Sequence, residues 1–134
     1  MLGMDLSSTS VTPIITPAEV VEIRRRTRAV HVDEKINEYI VRIGRATRDP
    51  ALCGRGELKQ YIMVGVSPRS YQHSLALARA HAFLAGRDYV TPVDVKQIAP
   101  DVLQHRVVRT VRAEAEGVDA RTLIEDLLRH VAVP

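Results

Sequence analysis

The amino-acid sequence predicts an all-α fold, a helical bundle of about five helices. Hydrophobic residues make up 46% of the 134-residue chain but aromatic residues only 4%, so the core must be aliphatic. Abundant Arg and Glu beside Leu and Ala favour helix over sheet. Apolar residues recur at helical spacing in several segments, and most of these segments begin with a capping residue, often followed by proline. A chain of this length forms one domain.

The first segment, residues 1–15, is expected to be a linker, because Ser, Thr and Pro cluster there without a helical period. The first helix is predicted to begin at Thr16, with Pro17 at its first position and Glu19 completing a capping box. One face of this helix carries Val20, Ile23, Thr27 and Val30. Its arginines are expected on the remaining surface, as a solvated face or as a contact for an acidic partner or neighbouring subunit. They are Arg24, Arg25, Arg26 and Arg28.

The second helix is predicted to be capped by Asp33 and to end before Asp49-Pro50. Its inward stripe is Ile36, Tyr39, Ile40 and Ile43. Gly44 should weaken its middle by about 1 kcal/mol relative to alanine. A loop at 51–56 and a short helical turn at 57–63 are expected next. The inward residues of that turn are Leu58, Tyr61 and Ile62.

The third helix is predicted to begin at Ser67-Pro68 and to end at Gly86. It is apolar nearly all round, through Leu75, Leu77, Ala78, Ala80, Ala82, Phe83 and Leu84. A helix of that kind is normally buried on several sides, so we expect it at the centre of the domain.

The C-terminal part is predicted to contain two helices, a further brief helix and short connections. Thr91-Pro92-Val93-Asp94 repeats the capping pattern for a short helix carrying Val95 and Ile98. Another brief helix around 102–104 is expected after Pro100, then an extended segment at 106–112 that leaves open one short extended pair, and a turn at 114–117. Asp119 should cap the final helix. Its stripe is Leu123, Ile124, Leu127, Leu128 and Val131.

Composition excludes several classes of protein. The net charge of +3 is mild and charges of both signs are interspersed, which argues against a nucleic-acid footprint. Cys53 is the only cysteine, so there is no disulfide framework and the lone thiol fits a reducing cytoplasm. No signal peptide is recognisable at 1–16, and no apolar run approaches the ~20 residues that cross a bilayer. We therefore expect a soluble, cytoplasmic protein.

The catalytic inventory is poor. The five histidines (31, 73, 81, 105 and 130) include no pair at a metal-ligand spacing, so no metal site is predicted. No GxSxG, HExxH or phosphate-loop motif is present. Residues 30–34 (VHVDE) superficially resemble a strand followed by a Mg²⁺-binding acidic pair, but a helix cap explains Asp33. A small enzyme is excluded for want of converging acid, base or nucleophile groups.

Arg69 stands in the first turn of the third helix, where a cation is disfavoured because the free N–H groups and the helix dipole already present positive charge. This placement makes sense if an anion binds there, since helix amides and a guanidinium together bind phosphate well. Arginine near a helix start is also common without any such role.

Residues 58–69, 80–96, 99–106 and 113–118 closely resemble the C-terminal lid of MoxR-family AAA+ ATPases, and VAVP at 131–134 resembles the family's C-terminus. The resemblance implies that 16–134 is an AAA+ lid domain. In that family a Gly-x-Ser-Pro-Arg element carries the sensor 2 arginine, which reaches the γ-phosphate of ATP held in the core domain. The match implies this role for Arg69. It places Val66, Ser67 and Pro68 beside the nucleotide.

The resemblance also implies the wider setting. The full-length protein would bind ATP and Mg²⁺ and hydrolyse ATP, whereas this chain lacks the phosphate loop and should not be catalytic alone. Its partners would be its own core domain, other subunits of a homo-oligomeric ring (a hexamer), and von Willebrand A domain proteins. The activity would be chaperone-like assembly or metal insertion. Arg24, Arg25 and Arg28 would serve the subunit contact.

An alternative hypothesis is a stand-alone helical module that binds protein or DNA. The short helix after Thr91-Pro92 could take part in a helix-turn-helix, and salt-dependent binding to duplex DNA would support it. Against it, the final helix is expected to expose Glu125 and Asp126 rather than a basic recognition face.

Overall fold

The computed structural model describes residues 12–134, which form six α-helices, two 3₁₀ helices and a small two-stranded sheet. The α-helices are α1 (Pro17–Ala29), α2 (Glu34–Arg48), α3 (Pro68–Leu84), α4 (Pro92–Leu103), α5 (Val111–Ala115) and α6 (Ala120–His130). The 3₁₀ helices are Pro50–Cys53 and Gly56–Gln60, and the strands are β1 (Ile62–Val64) and β2 (Val108–Arg109). The predicted all-α class is confirmed. Most of the expected linker, residues 1–11, lies outside the described residues.

The helix starts predicted from capping residues are confirmed. Thr16 with Glu19, and Thr91 with Asp94, each form a complete capping box, with a proline at the first helical position. The Asp33 carboxylate accepts a 2.9 Å hydrogen bond from the Lys35 amide. Asp119 accepts one of 2.7 Å from the Thr122 amide. These contacts satisfy amides that have no partner within their own helix.

The hydrophobic core lies where α2, α4 and α6 meet. The predicted stripes of α2 and α6 are confirmed, because every residue named in them is buried. From α4 the core receives Val95, Ala99, Val102 and Leu103. Such i, i+3, i+4 stripes are the faces that helices bury against one another.

The segment between α2 and α3 differs from its prediction. The expected loop at 51–56 contains the 3₁₀ helix Pro50–Cys53, whose first turn is capped when Asp49 accepts a hydrogen bond from the Ala51 amide. The expected helical turn at 57–63 is a 3₁₀ helix that ends at Gln60 and is followed by β1. Leu58 and Ile62 do point inward and are buried, as predicted. β1 forms because β2 supplies a partner distant in sequence, which a local pattern does not reveal.

The prediction that α3 is buried on several sides is correct in part, because the helix packs against α1, α2 and α4. Its fully buried residues are the small ones, Ser70, Ser74, Ala78 and Ala82. Tyr71, Leu75 and Phe83 are half-buried and pack against the core. Leu77 is 47% exposed and Leu84 is 83% exposed, so the helix is not apolar-buried all round.

The C-terminal predictions need two corrections. α4 continues through Pro100 to Leu103, so there is no separate helix at 102–104. Pro100 removes one backbone hydrogen bond, but it is buried in the core and its carbonyl still accepts from the Gln104 amide at 3.0 Å. The extended segment at 106–112 shrinks to β2, because Thr110 caps α5 by accepting a hydrogen bond from the Ala113 amide. The expected turn at 114–117 is the end of α5, completed by Gly117 at a φ of 69°.

Two backbone contacts between distant segments set the position of α3. β1, which precedes α3 in the chain, pairs antiparallel with β2 from beyond α4, with Ile62 opposite Arg109 and Val64 opposite Val108. At the other end, the His31 amide donates to the Asp88 carbonyl at 2.7 Å. The Val90 amide donates to the His31 carbonyl at 3.0 Å. Both ends of α3 are therefore held by other parts of the domain.

Candidate functional site

Arg69 is the second residue of α3 and its side chain is exposed. Within residues 12–134 its guanidinium forms no ion pair and no hydrogen bond. Most other exposed arginines of the described region differ in this respect; Arg121, for example, pairs with Asp101 at 2.7 Å and Glu125 at 3.0 Å. The five N–H donors of the Arg69 guanidinium are thus available to a ligand or to another domain or subunit.

The segment that leads into α3 is fixed to the end of α2. Val66 is fully buried, its amide donates to the Thr47 hydroxyl at 3.0 Å, and its carbonyl accepts from the Arg48 Nε at 2.8 Å. The Thr47 hydroxyl in turn donates to the Gly44 carbonyl at 2.7 Å. Sequence reasoning missed Thr47 and Arg48, since a residue that binds a backbone group far along the chain leaves no periodic signal.

Gly65 allows the close approach between these two segments. A Cβ at this position would lie 2.5 Å from the Thr47 carbonyl oxygen and 2.7 Å from the Arg48 Cγ. Since the nearest atom belongs to a buried helix backbone, a larger residue would push Val66 and the start of α3 away from α2. The glycine of the Gly-x-Ser-Pro-Arg element therefore has a steric role of its own.

The N-terminus of α3 is open to an anion. Ser67 stands at the N-cap, but its hydroxyl forms no capping hydrogen bond, and the first turn contains no acidic residue. The other five α-helices of the described region each begin with a side chain that caps an amide. Ser67 and Pro68 are both exposed. Pro68 has no amide N–H, and the Ser70 amide donates to the Ser67 carbonyl at 2.9 Å. The amides of Ser67 and Arg69 remain as donors at the positive end of this 17-residue helix and, beside the Arg69 guanidinium, can bind a phosphate group.

Tyr71 and Gly44 bring α3 against α2 one turn further along. A Cβ on Gly44 would lie 1.9 Å from the Tyr71 ring, so the ring occupies the space that a side chain would need. The cost that glycine brings to the middle of α2 is thus offset by packing against α3, which the helix-propensity argument did not foresee.

The opposite end of α3 is fixed by a buried carboxylate, Asp94. It accepts hydrogen bonds from the Arg87 guanidinium at 2.8 and 2.5 Å and from the Thr91 amide and hydroxyl at 2.7 Å. His81 Nδ1 lies 2.7 Å from the same carboxylate. Burial by itself would raise the pKa of Asp94, but the hydrogen bonds from Arg87, Thr91 and His81 outweigh it and hold the pKa well below its ordinary value. The sequence predicted Asp94 only as a helix cap.

The histidines and the cysteine serve local structure. In addition to the His81 contact, His73 lies 2.7 Å from an Arg106 nitrogen. Within residues 12–134, no group of three or more His, Cys, Asp or Glu side chains is placed to hold a metal ion. The half-buried Cys53 thiol donates to the Pro50 carbonyl at 3.3 Å, and burial raises its pKa, which lowers the thiolate fraction that nucleophilic chemistry needs.

The arginines of α1 lie on the surface, as predicted, and none of the residues of α1 is buried. Arg25 pairs with Glu22 at 2.8 Å, and Arg26 lies over the Phe83 ring, 5.3 Å from its centroid. Arg24 and Arg28 form no ion pair within the described residues. Val20 and Ile23 remain about 40% exposed, so the apolar face of α1 is only partly covered by α3. Within the described residues, no contact joins the arginines of α1 to Arg69.

No helix among residues 12–134 combines the length and the apolar character that crossing a bilayer requires.

Comparison with known proteins identifies the family. The family model of the AAA lid domain matches residues 57–127, which is 71 of the 134 residues. The chain is 35% identical over 121 residues to the chaperone MoxR1 of Mycobacterium tuberculosis, a match that covers 90% of this chain and 32% of that protein. It is 33% identical to YeaC of Bacillus subtilis, over 91% of this chain and 35% of that one. The chain thus spans about a third of the length of these relatives.

A solved structure shares the fold. The crystal structure of a candidate ATPase from Cytophaga hutchinsonii superimposes with a TM-score of 0.84 at 39% identity, over 87% of this chain and 36% of that one. Because the family model spans more than half of the chain and the relative named MoxR1 aligns with 90% of it, the chain belongs to the AAA lid domain family, as a lid of the MoxR-type AAA+ ATPases.

Proposed function

We propose that this lid senses the nucleotide of a MoxR-type ATPase through Arg69, which contacts the γ-phosphate of ATP as a sensor 2 arginine. The full-length protein binds ATP with Mg²⁺ in its core domain and hydrolyses it, and the lid supplies the arginine. Contact with the triphosphate holds the lid closed, and loss of the γ-phosphate releases it. Val66, Ser67 and Pro68 lie beside the nucleotide in this arrangement.

The observation that carries the proposal is an exposed, unpaired guanidinium next to an uncapped helix N-terminus. The residues present fit a phosphate group, since a guanidinium and free amides are both donors; the guanidinium carries a full positive charge and the helix N-terminus a partial one. The lid supplies no carboxylate to the first turn of α3, so the Mg²⁺ ligands belong to the core domain and to the phosphates. ATP supplies the negative charge that the site lacks.

The backbone segment that carries Arg69 is fixed in a way that suits a sensor. Val66 is bound through both of its backbone groups to α2, and Gly65 lies in contact with the Thr47 backbone. The arginine therefore projects from a fixed segment instead of a free loop. A force exerted on its guanidinium is passed to the helices of the whole lid.

The test is ATP turnover by the full-length protein carrying Arg69→Ala. A charge-assisted hydrogen bond is typically worth about 1.5–3 kcal/mol. If Arg69 makes this contact only with the triphosphate, removing the side chain should therefore lower kcat/KM by roughly 10- to 150-fold. The lid should fold as before, because the side chain is exposed and forms no ion pair or hydrogen bond within the described residues. Arg45→Ala, which removes an exposed arginine from α2, serves as the matched control and should leave turnover unchanged.

Turnover of Arg69→Ala equal to that of the Arg45→Ala control would refute the sensing role. If Arg69→Lys retained near-normal turnover, a single positive charge would suffice, and the planar guanidinium with its paired N–H donors would not be required.

We further propose that the full-length protein acts as a chaperone-like ring, a hexamer, in complex assembly or metal insertion, with von Willebrand A domain proteins among its partners. The relative that aligns with 90% of this chain is named a chaperone, which supports the proposed chaperone-like activity. Arg24, Arg25 and Arg28 provide an exposed basic surface for the subunit contact. Sedimentation of the full-length protein with ATP and Mg²⁺ tests ring formation, and a monomer at micromolar concentration would contradict it.

We also infer that residues 16–134 constitute the lid and that the protein is cytoplasmic, which the single half-buried thiol supports. Family membership makes a stand-alone DNA-binding module the weaker hypothesis. Glu125 and Asp126 of α6 are half-buried and not exposed as expected, and they pair with Arg121 and Arg55, which neutralises part of the positive charge near this helix and supports this view.

A further inference from the structure

A pocket opens where the second half of α2, the 3₁₀ helix Pro50–Cys53 and the segment after α6 meet. It has a volume of about 220 Å³, and its apolar wall includes Ala46, Leu52 and Val131. Leu52 is 57% exposed there, so apolar surface would leave water when a ligand enters. Sites for cofactors and drug-sized ligands usually enclose ~300–1,000 Å³. This smaller pocket has room for one large side chain, which favours part of a peptide over a nucleotide.

One rim of the pocket is positively charged. It is formed by Arg42 and Arg45 of α2, and no carboxylate of the described region lines the pocket. Neither guanidinium forms an ion pair or a hydrogen bond within that region. Asp126, just over one helical turn before Val131, is already paired with Arg55. The chain itself therefore leaves the two positive charges of the rim unneutralised.

Arg42 is the better placed of the two arginines to bind a carboxylate. It is half-buried, and its guanidinium carbon lies 6.0 Å from the centroid of the Tyr39 ring on the same helix. Contact with the ring restricts the side chain, so less conformational freedom is lost when a ligand binds. A half-buried charge is also screened less by salt than an exposed one.

The two kinds of surface together determine the ligand. Inorganic phosphate would leave the apolar wall unused, and a neutral apolar segment would leave the two arginines unpaired. A large apolar side chain beside a carboxylate uses both surfaces. None of the residues that line the pocket belongs to α1, α3 or residues 65–69. The pocket is therefore separate from the proposed nucleotide contact and from the arginines assigned to the subunit contact.

We propose that this pocket binds a short acidic segment of another protein, in which a large apolar residue stands next to aspartate or glutamate. The apolar side chain enters the pocket, and the neighbouring carboxylate pairs with the Arg42 guanidinium. The planar guanidinium can donate two parallel hydrogen bonds to one carboxylate, which makes the contact specific for an acid in a fixed position. This binding activity goes beyond nucleotide sensing and does not depend on Arg69.

The test is binding of short synthetic peptides to this chain, measured by fluorescence anisotropy. Three fluorescein-labelled peptides carry Asp-Leu-Glu, Asp-Phe-Glu or Asp-Val-Glu at their centre. Three matched peptides carry asparagine and glutamine in place of the two acids. A second measurement locates the peptide. Cys53 lines the pocket and is the only cysteine of the chain, so its rate of alkylation by iodoacetamide reports occupancy without any substitution.

We expect at least one acidic peptide to bind with a Kd between micromolar and millimolar, on the order of tenfold more tightly than its amide counterpart. Alkylation of Cys53 should slow in proportion to the fraction of chain that is bound. Arg42→Gln should weaken binding on the order of fivefold and leave the circular dichroism spectrum unchanged. Lys35→Gln is the matched control, because it removes an exposed positive charge from the same helix, outside the pocket, and it should bind like the wild type.

Four results would each overturn the proposal. No acidic peptide binds at millimolar concentration, or the amide peptides bind equally well, which would remove the role of charge. Alternatively, a peptide binds without slowing the alkylation of Cys53, and the binding site then lies elsewhere. Finally, Arg42→Gln binds the peptides as tightly as the Lys35→Gln control does.

Discussion

Replacement of Asp94 by alanine should be among the most destabilising single changes in this domain. The carboxylate is fully buried and accepts hydrogen bonds from Arg87, from the amide and hydroxyl of Thr91, and from His81. Breaking a buried charge pair by removing one partner costs about 3–5 kcal/mol. The Arg87 side chain is 27% exposed and that of His81 36%, so water can partly solvate both after the change. We therefore expect Asp94→Ala to lower the free energy of unfolding by about 3 kcal/mol, the low end of that range.

The measurement is urea unfolding followed by circular dichroism, at pH 7, with the free energy of unfolding extrapolated to water. Asp101→Ala is the matched control, because it removes an aspartate from the same helix whose ion pair with Arg121 is exposed. Surface pairs contribute about 0–1 kcal/mol, so the control should lose no more than that. A loss below about 1 kcal/mol for Asp94→Ala would refute the reasoning, since the buried network would then contribute no more than a surface pair.

The same carboxylate predicts how stability varies with pH. The folded-state pKa of Asp94 is depressed below its unfolded value, so its contribution is complete above the unfolded pKa of about 3.9 and is lost as the pH falls through the folded pKa. Below pH ~4 the wild type should lose this share of its stability, whereas Asp94→Ala should show a correspondingly flatter profile. Parallel profiles for the two proteins in acid would contradict the assignment.

Two further predictions concern packing. Gly44→Ala should destabilise the domain by about 1–3 kcal/mol through overpacking against Tyr71, yet it should be neutral or mildly stabilising in a Tyr71→Ala background, where only the helix propensity remains. A double-mutant cycle of urea unfolding measures this, and a coupling energy near zero would exclude the contact. Burial raises the pKa of Tyr39 to about 12, and its hydroxyl has no hydrogen-bond partner among residues 12–134. Tyr39→Phe should therefore leave stability unchanged or raised at pH 7, and should remove the last step of the tyrosine absorbance titration; loss of stability at pH 7 would argue for a missing partner.

The features predicted correctly from the sequence are those encoded by neighbours in the chain. The capping boxes at Thr16 and Thr91 and the stripes of α2 and α6 depend on residues three or four positions apart, which a single sequence displays. The resemblance located Arg69, and the structure adds that the residue is exposed and unpaired within the described region.

The features that the sequence did not reveal depend on distant contacts. β1 exists because β2 lies beside it, and α4 continues through Pro100 because the core packs around it. The burial of α3 was predicted only in part for a different reason. Hydrophobicity all round a helix indicates that it packs on its neighbours, but it does not show which of its apolar side chains face them.

The fastening of α3 at both ends determines how the lid can move. Val66 ties its start to α2, and the Asp94 network ties its end to α4, so Arg69 cannot shift far without carrying the bundle with it. A helix of 17 residues is about 26 Å long at ~1.5 Å per residue. Because both ends are fastened, a rotation at Arg69 would carry α2 and α4 with it instead of bending α3. A rotation of the whole lid by about 10° around one end of α3 would displace the other end by about 4.5 Å.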